Sequence, residues 1–371
     1  MIPGAADLHG TETYAKRFGD FFGAGHFRIV NGLFLSSIGL GTYLGEMDDA
    51  TDELSYEAMK QCFEKGINVI DSAINYRAQR SERIIGKAIS NLIQTRKLNR
   101  EEIFISTKGG FIPFDGSYPE NPADYFHETY VEPGILKPED AVQGCHAMTP
   151  RYLEDQLERS LKNLGVETID LYYLHNPEMQ LEEIPAHEFY TRLTKAFELL
   201  EQKVSEGKIK WYGTATWNGY RISHEAKGYL SLQDVLEAAI QAGGKDHHFK
   251  AIQLPYNLGM PEAFVNQNQF WESKEAISPI EFARRANLAV FTSASLLQGR
   301  LAQRLPEKVR LLFPTCPSQV ACALQFVRST PGVTTALAGM KSLTHVSENL
   351  AVAQISPLTA EAFVNLFATK A

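Results

Sequence analysis

Short apolar, β-branched runs alternate with helical stretches eight times along this chain, and no other feature narrows its fold as far. The runs are SSIGLGT (36–42), INVIDSA (67–73), EIFISTK (102–108), TIDLYYLH (168–175), KWYGTAT (210–216), KAIQLPY (250–256), LAVFTSA (288–294) and VTTALAG (333–339). Repeated strand–helix units build a parallel sheet, and eight is the number at which such a sheet closes into a barrel. The expected fold is therefore α/β, a (β/α)8 TIM barrel. Residues 1–371 are expected to form a single domain, because no linker divides them.

The stretches between the runs are amphipathic. In LSYEAMKQCFEKG (54–66), Met59, Cys62 and Phe63 share a face and Gly66 supplies the stop. In RYLEDQLERSLKNLG (151–165), Leu153, Leu157, Leu161 and Leu164 form a buried stripe behind the Thr149–Pro150 entrance. A last helix is expected over SLTHVSENLAVA (342–353). One segment breaks the rhythm. Residues 109–150, after the third strand, are rich in Gly, Pro and aromatics, too long for a passive connector and too aromatic (Phe111, Phe114, Tyr118, Tyr125, Phe126, Tyr130) for a solvated tail. They are expected to form a partly ordered loop near the functional face.

Charge decides the class of partner. With 36 Lys+Arg against 44 Asp+Glu, the net charge is -8, so there is no basic surplus for nucleic acid or an anionic membrane surface, and small molecules are the expected partners. Cys62, Cys145, Cys316 and Cys322 form no CxxC pair, which points to incidental thiols in a reducing compartment, with neither a disulfide framework nor a zinc site. The opening MIPGAADLHGTETYAKRFGD has no basic segment followed by an apolar run, and the apolar stretch from Leu288 is too short to cross a bilayer. A soluble, cytoplasmic protein is expected.

The strands are apolar, yet several end in reactive groups: Asp71 after INVI, Lys108 after IFIST, His175 after IDLYYL and Thr216 after WYGTA, with Tyr76 in the loop after Asp71. Strand C-termini of a parallel barrel gather on one face, so these groups converge on a common mouth. Taken singly, Asp71 reads as a cap, Lys108 as an ion-pair partner, His175 as a satisfied core histidine and Tyr76 as a loop aromatic. Together they form a proton-transfer set. Lys108 beside the Tyr76 hydroxyl is expected to favour phenolate and lower that tyrosine's pKa, with Asp71 holding the lysine. His175, if its other nitrogen is held, can donate to a carbonyl oxygen as it becomes alkoxide.

The segment DSAINY with Ser81–Glu82, STK at 106–108 and LHNPE at 174–178 resemble, in order, the aldo-keto reductases, over roughly Ile38 to Leu350. The resemblance implies a catalytic tetrad of Asp71, Tyr76, Lys108 and His175, with Tyr76 as general acid. It implies NADP(H), in preference to NAD(H), bound in extended form, and no GxGxxG follows a strand here. It further implies that Asn176, Thr216 and Gln253 hold the nicotinamide carboxamide and that Tyr256 stacks on the ring. In SASLLQGRL, Ser295, Leu296 and Gly299 would meet the pyrophosphate. In GMKSLTHVSEN, from Gly339, Lys341 and Ser342 would meet the 2′-phosphate, Glu348 and Asn349 the adenine, and His345 stands where relatives carry Arg or Gln. Two positions depart from the family pattern. Arg77 replaces the glycine common after the tyrosine, adding a cation that could shape the pocket, touch phosphate or pair at the surface. Trp217 replaces an asparagine.

The function so implied is interconversion of a carbonyl (aldehyde, ketone or sugar) and its alcohol, with Tyr43, Trp217 and the insert aromatics as candidate pocket walls. Two alternatives stand beside it. One is a Schiff-base aldolase using Lys108; the other is a nucleotide-binding regulatory protein of the same fold, such as the potassium-channel β-subunits.

Overall fold

The computed structural model describes residues 1–303 and 305–368. An antiparallel hairpin comes first, β1 (Phe27–Val30) and β2 (Leu33–Ser36). Then follow β3 (Ile38–Gly41), β4 (Val69–Asp71), β5 (Phe104–Gly109), β6 (Ile169–His175), β7 (Ile209–Ala215) and β8 (Phe249–Pro255). A second hairpin, β9 (Gln269–Trp271) and β10 (Glu275–Ile277), precedes β11 (Ala289–Ser293) and β12 (Thr335–Gly339). Strands β3 to β8, β11 and β12 pair in that order, all parallel, and β12 returns to β3. Each expected run holds one barrel strand, and the chain is a (β/α)8 barrel.

Alternation along each strand sorts side chains into two cores. Val69, Phe104, Leu171, Tyr173, Trp211 and Phe291 fill the interior, where Phe104 stacks on Phe291 at 5.7 Å and packs against Trp211 at 5.3 Å. Residues of opposite parity, such as Ile105, Tyr172 and Leu174, join the layer between strands and helices. There the stripe Leu153, Leu157, Leu161 and Leu164 lies buried on the helix Pro150–Leu164, which Gly165 ends in a left-handed conformation. The helix over the first crossover starts at Asp49, ahead of the expected Leu54, because Asp48 caps it by accepting from the Thr51 amide at 2.7 Å.

The β1–β2 hairpin closes one end of the barrel. Leu33 and Leu35 share the interior core with Val69 and Phe104, the first residues of β4 and β5, so the N-terminal mouth is plugged. Access is left to the mouth formed by the strand C-termini.

Between β5 and the helix Pro150–Leu164, the insert folds back on itself and joins its two ends by a Phe111↔His146 bridge. Phe114, Tyr125, Tyr130 and Tyr152 pack ring to ring at 5.4, 6.3 and 5.9 Å in succession, a satellite core under the loop. These aromatics stabilise the insert itself, and Phe111 is the one that reaches the functional cavity.

Two buried histidines give the fold a pH dependence. His26 meets the Gly66 carbonyl at 2.9 Å and burial pushes its pKa down to about 3, while burial pushes His146 down to about 4. Both are neutral in the folded chain, whereas the unfolded chain protonates near pH 6.5, as an exposed histidine does. Between these limits the unfolded state binds more protons, so stability is complete above that pH and falls as pH drops towards 4, by at most about 1.4 kcal/mol per unit for each histidine. Thermal melts from neutral pH to pH 4.5 are expected to show falling Tm, with a shallower slope for His26→Gln; a flat profile would contradict this.

Candidate active site

The inward positions of β4, β5 and β6 end in Asp71, Lys108 and His175, and this parity brings the three together at the open mouth. Lys108 is fully buried and donates to Asp71 Oδ2 at 2.6 Å and to the Ser72 carbonyl at 2.6 Å. Asp71 Oδ1 accepts from Ser106 Oγ and Gln253 Nε2, each at 2.8 Å. The carboxylate is thus held by three donors from two strands, Ser106 and Lys108 on β5 and Gln253 on β8. Burial lowers the pKa of Lys108, and the Asp71 charge opposes that shift.

Tyr76 lies above this pair. The Lys108 ammonium sits 4.9 Å from the centre of its ring, a cation–π contact that leaves the hydroxyl free of it. Burial, and secondarily the Asp71 charge, raise the tyrosine pKa well above its usual value. This reverses the expectation of a lowered pKa: Asp71 neutralises the lysine, and the ammonium faces the ring. Tyr76 is held as a protonated phenol. The His175 ring stands edge-on to Tyr76 at 5.8 Å and to Phe111 at 4.9 Å. Burial, then the Lys108 charge, pull its pKa well below the usual histidine value, so the imidazole is neutral. No side chain among the described residues holds its Nδ1.

Asp71, Tyr76 and His175 form the floor of a cavity of about 830 Å³, with Lys108 buried behind them, and its wall extends from Trp217 and Phe111 to the start of the helix Leu343–Ala353. Its wall includes Asp71, Tyr76, His175, Asn176, Thr216 and Gln253. Further along come Ser295, Leu296 and Gly299, then Gly339, Lys341, His345, Glu348 and Asn349. Several bordering residues keep a buried polar atom without a protein partner, namely Asn75 Oδ1, Thr216 Oγ1 and Asn349 Oδ1 in addition to the histidine nitrogen. Such atoms call for a polar ligand or water.

Three expectations are corrected here. Tyr256 is fully buried on the outer face, its ring stacked on Phe326 at 5.6 Å and its hydroxyl accepting from Thr330 at 3.1 Å. The cause is parity: Ala251 and Gln253 point inward, so Ile252, Leu254 and Tyr256 point to the helices. Ser342 does not border the cavity; its hydroxyl caps the helix Leu343–Ala353 by accepting from the His345 amide at 3.3 Å. Arg77 borders the cavity, as a residue that shapes the pocket would, but it is a buried tether, bonded to Asp52 at 2.5 Å and to the Glu46 carbonyl at 2.7 Å, and does not pair at the open surface. It opens three successive left-handed residues, Arg77, Ala78 and Gln79, with φ of 51, 51 and 70°. Such conformations are costly for non-glycine residues, and the Arg77 bonds hold this turn after Tyr76 in place.

Other contributors were not anticipated. Glu178, buried, accepts from the amides of Trp217, Asn218 and Gly219 at 2.7, 3.1 and 3.3 Å and so shapes the loop after β7. The motif LHNPE contained this residue without revealing that role. Asn75 lay unremarked inside DSAINY.

A family profile, Aldo/keto reductase family, matches residues 37–259, more than half the chain and including Asp71, Tyr76, Lys108 and His175. The chain belongs to the Aldo/keto reductase family. Among aldo-keto reductase relatives, an NADH-specific methylglyoxal reductase of Escherichia coli is 27% identical over 49% of this chain and 48% of its own length. The chain spans about half or less of the length of the first curated relatives it matches. Solved structures share the fold at lower identity. A glycerol dehydrogenase from Gluconobacter oxydans superposes with a TM-score of 0.63 at 20% identity, covering 93% of this chain and 95% of the other. An aldo/keto reductase from Klebsiella pneumoniae, in complex with NADP and acetate, gives 0.60 at 22%, covering 93% and 94%. Among the described residues, no helix is long and apolar enough to cross a membrane.

Proposed function

We propose that this reductase-family chain is an NADP(H)-dependent oxidoreductase that interconverts an aldehyde, ketone or sugar carbonyl with its alcohol, Tyr76 moving the proton. The observation that carries this reading is the meeting of Asp71, Tyr76 and His175 on the floor of one cavity, with Lys108 buried against Asp71 and the Tyr76 ring. The Klebsiella relative's NADP complex supports the nucleotide. The residues fit such a group: orphaned polar atoms at Thr216 and His175 suit a carboxamide or a carbonyl, and Asn349 with Lys341 suits the adenosine end. Gln253 donates its amide to Asp71 and keeps its Oε1 as an acceptor, a narrower part in binding than the one expected.

Bound NADPH would supply hydride to the carbonyl carbon. The chain's own part is the proton. Neutral His175 and the Tyr76 phenol donate hydrogen bonds to the substrate oxygen, and negative charge growing there is met by preorganised dipoles. Tyr76 Oη then releases its proton to that oxygen, giving the alcohol. The Lys108 ammonium, held by Asp71, remains against the ring of the phenolate left behind. The high pKa guarantees a loaded donor at neutral pH. Fluorescence titration with NADPH, followed by a carbonyl panel read at the nicotinamide absorbance, tests the reading; saturable binding with no turnover on any carbonyl would count against it. The aldolase alternative gains nothing from a lysine sealed beneath Asp71 and Tyr76.

Lys341 provides a test of nucleotide choice. If its ammonium meets the 2′-phosphate, Lys341→Ala should weaken NADPH by roughly ten- to a hundred-fold, the range of a charge-assisted hydrogen bond, and leave NADH nearly unchanged. Equal losses for both nucleotides would remove that role.

A further inference from the structure

The insert carries a buried histidine, His146, whose Nε2 lies 2.7 Å from the backbone carbonyl oxygen of His175. Its Nδ1 lies 3.0 Å from Gln180 Nε2, and Gln180 Oε1 lies 3.0 Å from Arg192 on the helix Ala186–Ser205. Arg192 in turn pairs with Glu188 at 2.7 Å.

Donor and acceptor chemistry fixes every direction in this chain. A guanidinium only donates, so the Gln180 oxygen faces Arg192 and its NH2 faces His146. The Nδ1 of His146 is then an acceptor, and the ring proton resides on Nε2, pointing at the His175 carbonyl. Burial keeps the ring neutral, with a pKa pushed down to about 4, which preserves this single tautomer at neutral pH. The bonds run one way, each polarising the next.

The backbone is arranged to permit it. Gly110 adopts φ of 142°, and a Cβ there would lie 2.8 Å from His146 Nε2 and 2.9 Å from the His175 oxygen. Phe111 stands edge-on to both rings, at 5.5 Å from His146 and 4.9 Å from His175. The ends of the insert close by amide bonds from Ala147 to the Gly110 carbonyl at 2.9 Å and from Ile112 to that of Cys145 at 2.8 Å. Asn176 follows in a left-handed conformation, so the peptide that His146 grips is the one at which the chain turns away from β6.

We propose that the Arg192–Gln180–His146 relay is a positioning device for His175, and that delivering His146 is what the 109–150 insert contributes to the reaction. His146 touches neither substrate nor nucleotide; it fixes the His175 peptide, while Phe111 fixes the imidazole plane. The inference rests on the proposed carbonyl reduction.

The test compares wild type, His146→Leu, His146→Gln and Arg192→Met by thermal melting, NADPH titration and steady-state carbonyl reduction. His146→Leu is expected to lower kcat by roughly ten- to a hundred-fold, as small misplacements of reacting groups do, while NADPH affinity is unchanged. His146→Gln keeps an N–H for the His175 carbonyl and an oxygen for Gln180, and is expected to restore most of the rate. Folded His146→Leu with wild-type kcat, or with NADPH binding lost in step with kcat, overturns the proposal. If His146→Leu fails to melt cooperatively, Arg192→Met decides, since that side chain sits on the outer helix: lowered kcat with intact NADPH binding supports the relay, and unchanged kcat overturns it. A wild-type chain that reduces no carbonyl overturns the function and this inference together, whereas active wild type with indifferent variants overturns this inference alone.

Discussion

Tyr76→Phe is expected to lower carbonyl reduction by about a thousand-fold while leaving NADPH affinity as it is in the wild type. The magnitude is that of a positioned proton donor, roughly a hundred- to ten-thousand-fold. The selectivity follows from the geometry, because phenylalanine retains the ring that packs 5.1 Å from Tyr43 and lies over the Lys108 ammonium, and loses only the hydroxyl. Both constants come from paired nucleotide titrations and turnover assays. Turnover within a few-fold of wild type would remove Tyr76 from the reaction, and a parallel loss of NADPH affinity would mean that the ring supports the nucleotide.

Lys108→Met is expected to abolish turnover and to destabilise the fold. Its partner Asp71 is 4% exposed, and removing one member of a buried ion pair typically costs about 3–5 kcal/mol through the charge left behind. Ser106 and Gln253 still donate to Asp71 and should hold the loss near the lower figure. Asp71→Asn combined with Lys108→Met removes both charges, and is expected to regain much of the lost stability while remaining inactive. Denaturant midpoints for the two single variants and the double variant, with turnover, measure this. If the double variant is no more stable than Lys108→Met, the pair is not the coupled unit described here.

The barrel and the floor of its cavity were legible because both depend on strand parity. Each of the eight runs alternates, and counting in twos from Val69, Phe104 and Leu171 leads to Asp71, Lys108 and His175. The same count, starting from inward-facing Gln253, places Tyr256 outward, so that correction was available from the sequence. The β1–β2 hairpin was also signalled, by Asn31–Gly32 with φ of 48 and 80° between two short apolar runs. Its short strands lie outside the strand–helix alternation.

Other features had no local signature. The direction of the Lys108 ammonium depends on Asp71 at the end of β4 and on Ser72 just after it. Arg77 pairs with Asp52 across 25 positions, and His146 reaches His175 across 29. Contacts of that kind follow from how the barrel brings its loops together, and no spacing within a motif encodes them.

The most direct test is the structure of the chain crystallised with NADP+. The expected result places the nicotinamide on the floor of the cavity within reach of Tyr76 Oη and the His175 ring, with the adenosine phosphate beside Lys341. A nucleotide bound elsewhere, or turned so that its adenine occupies the floor, would contradict it.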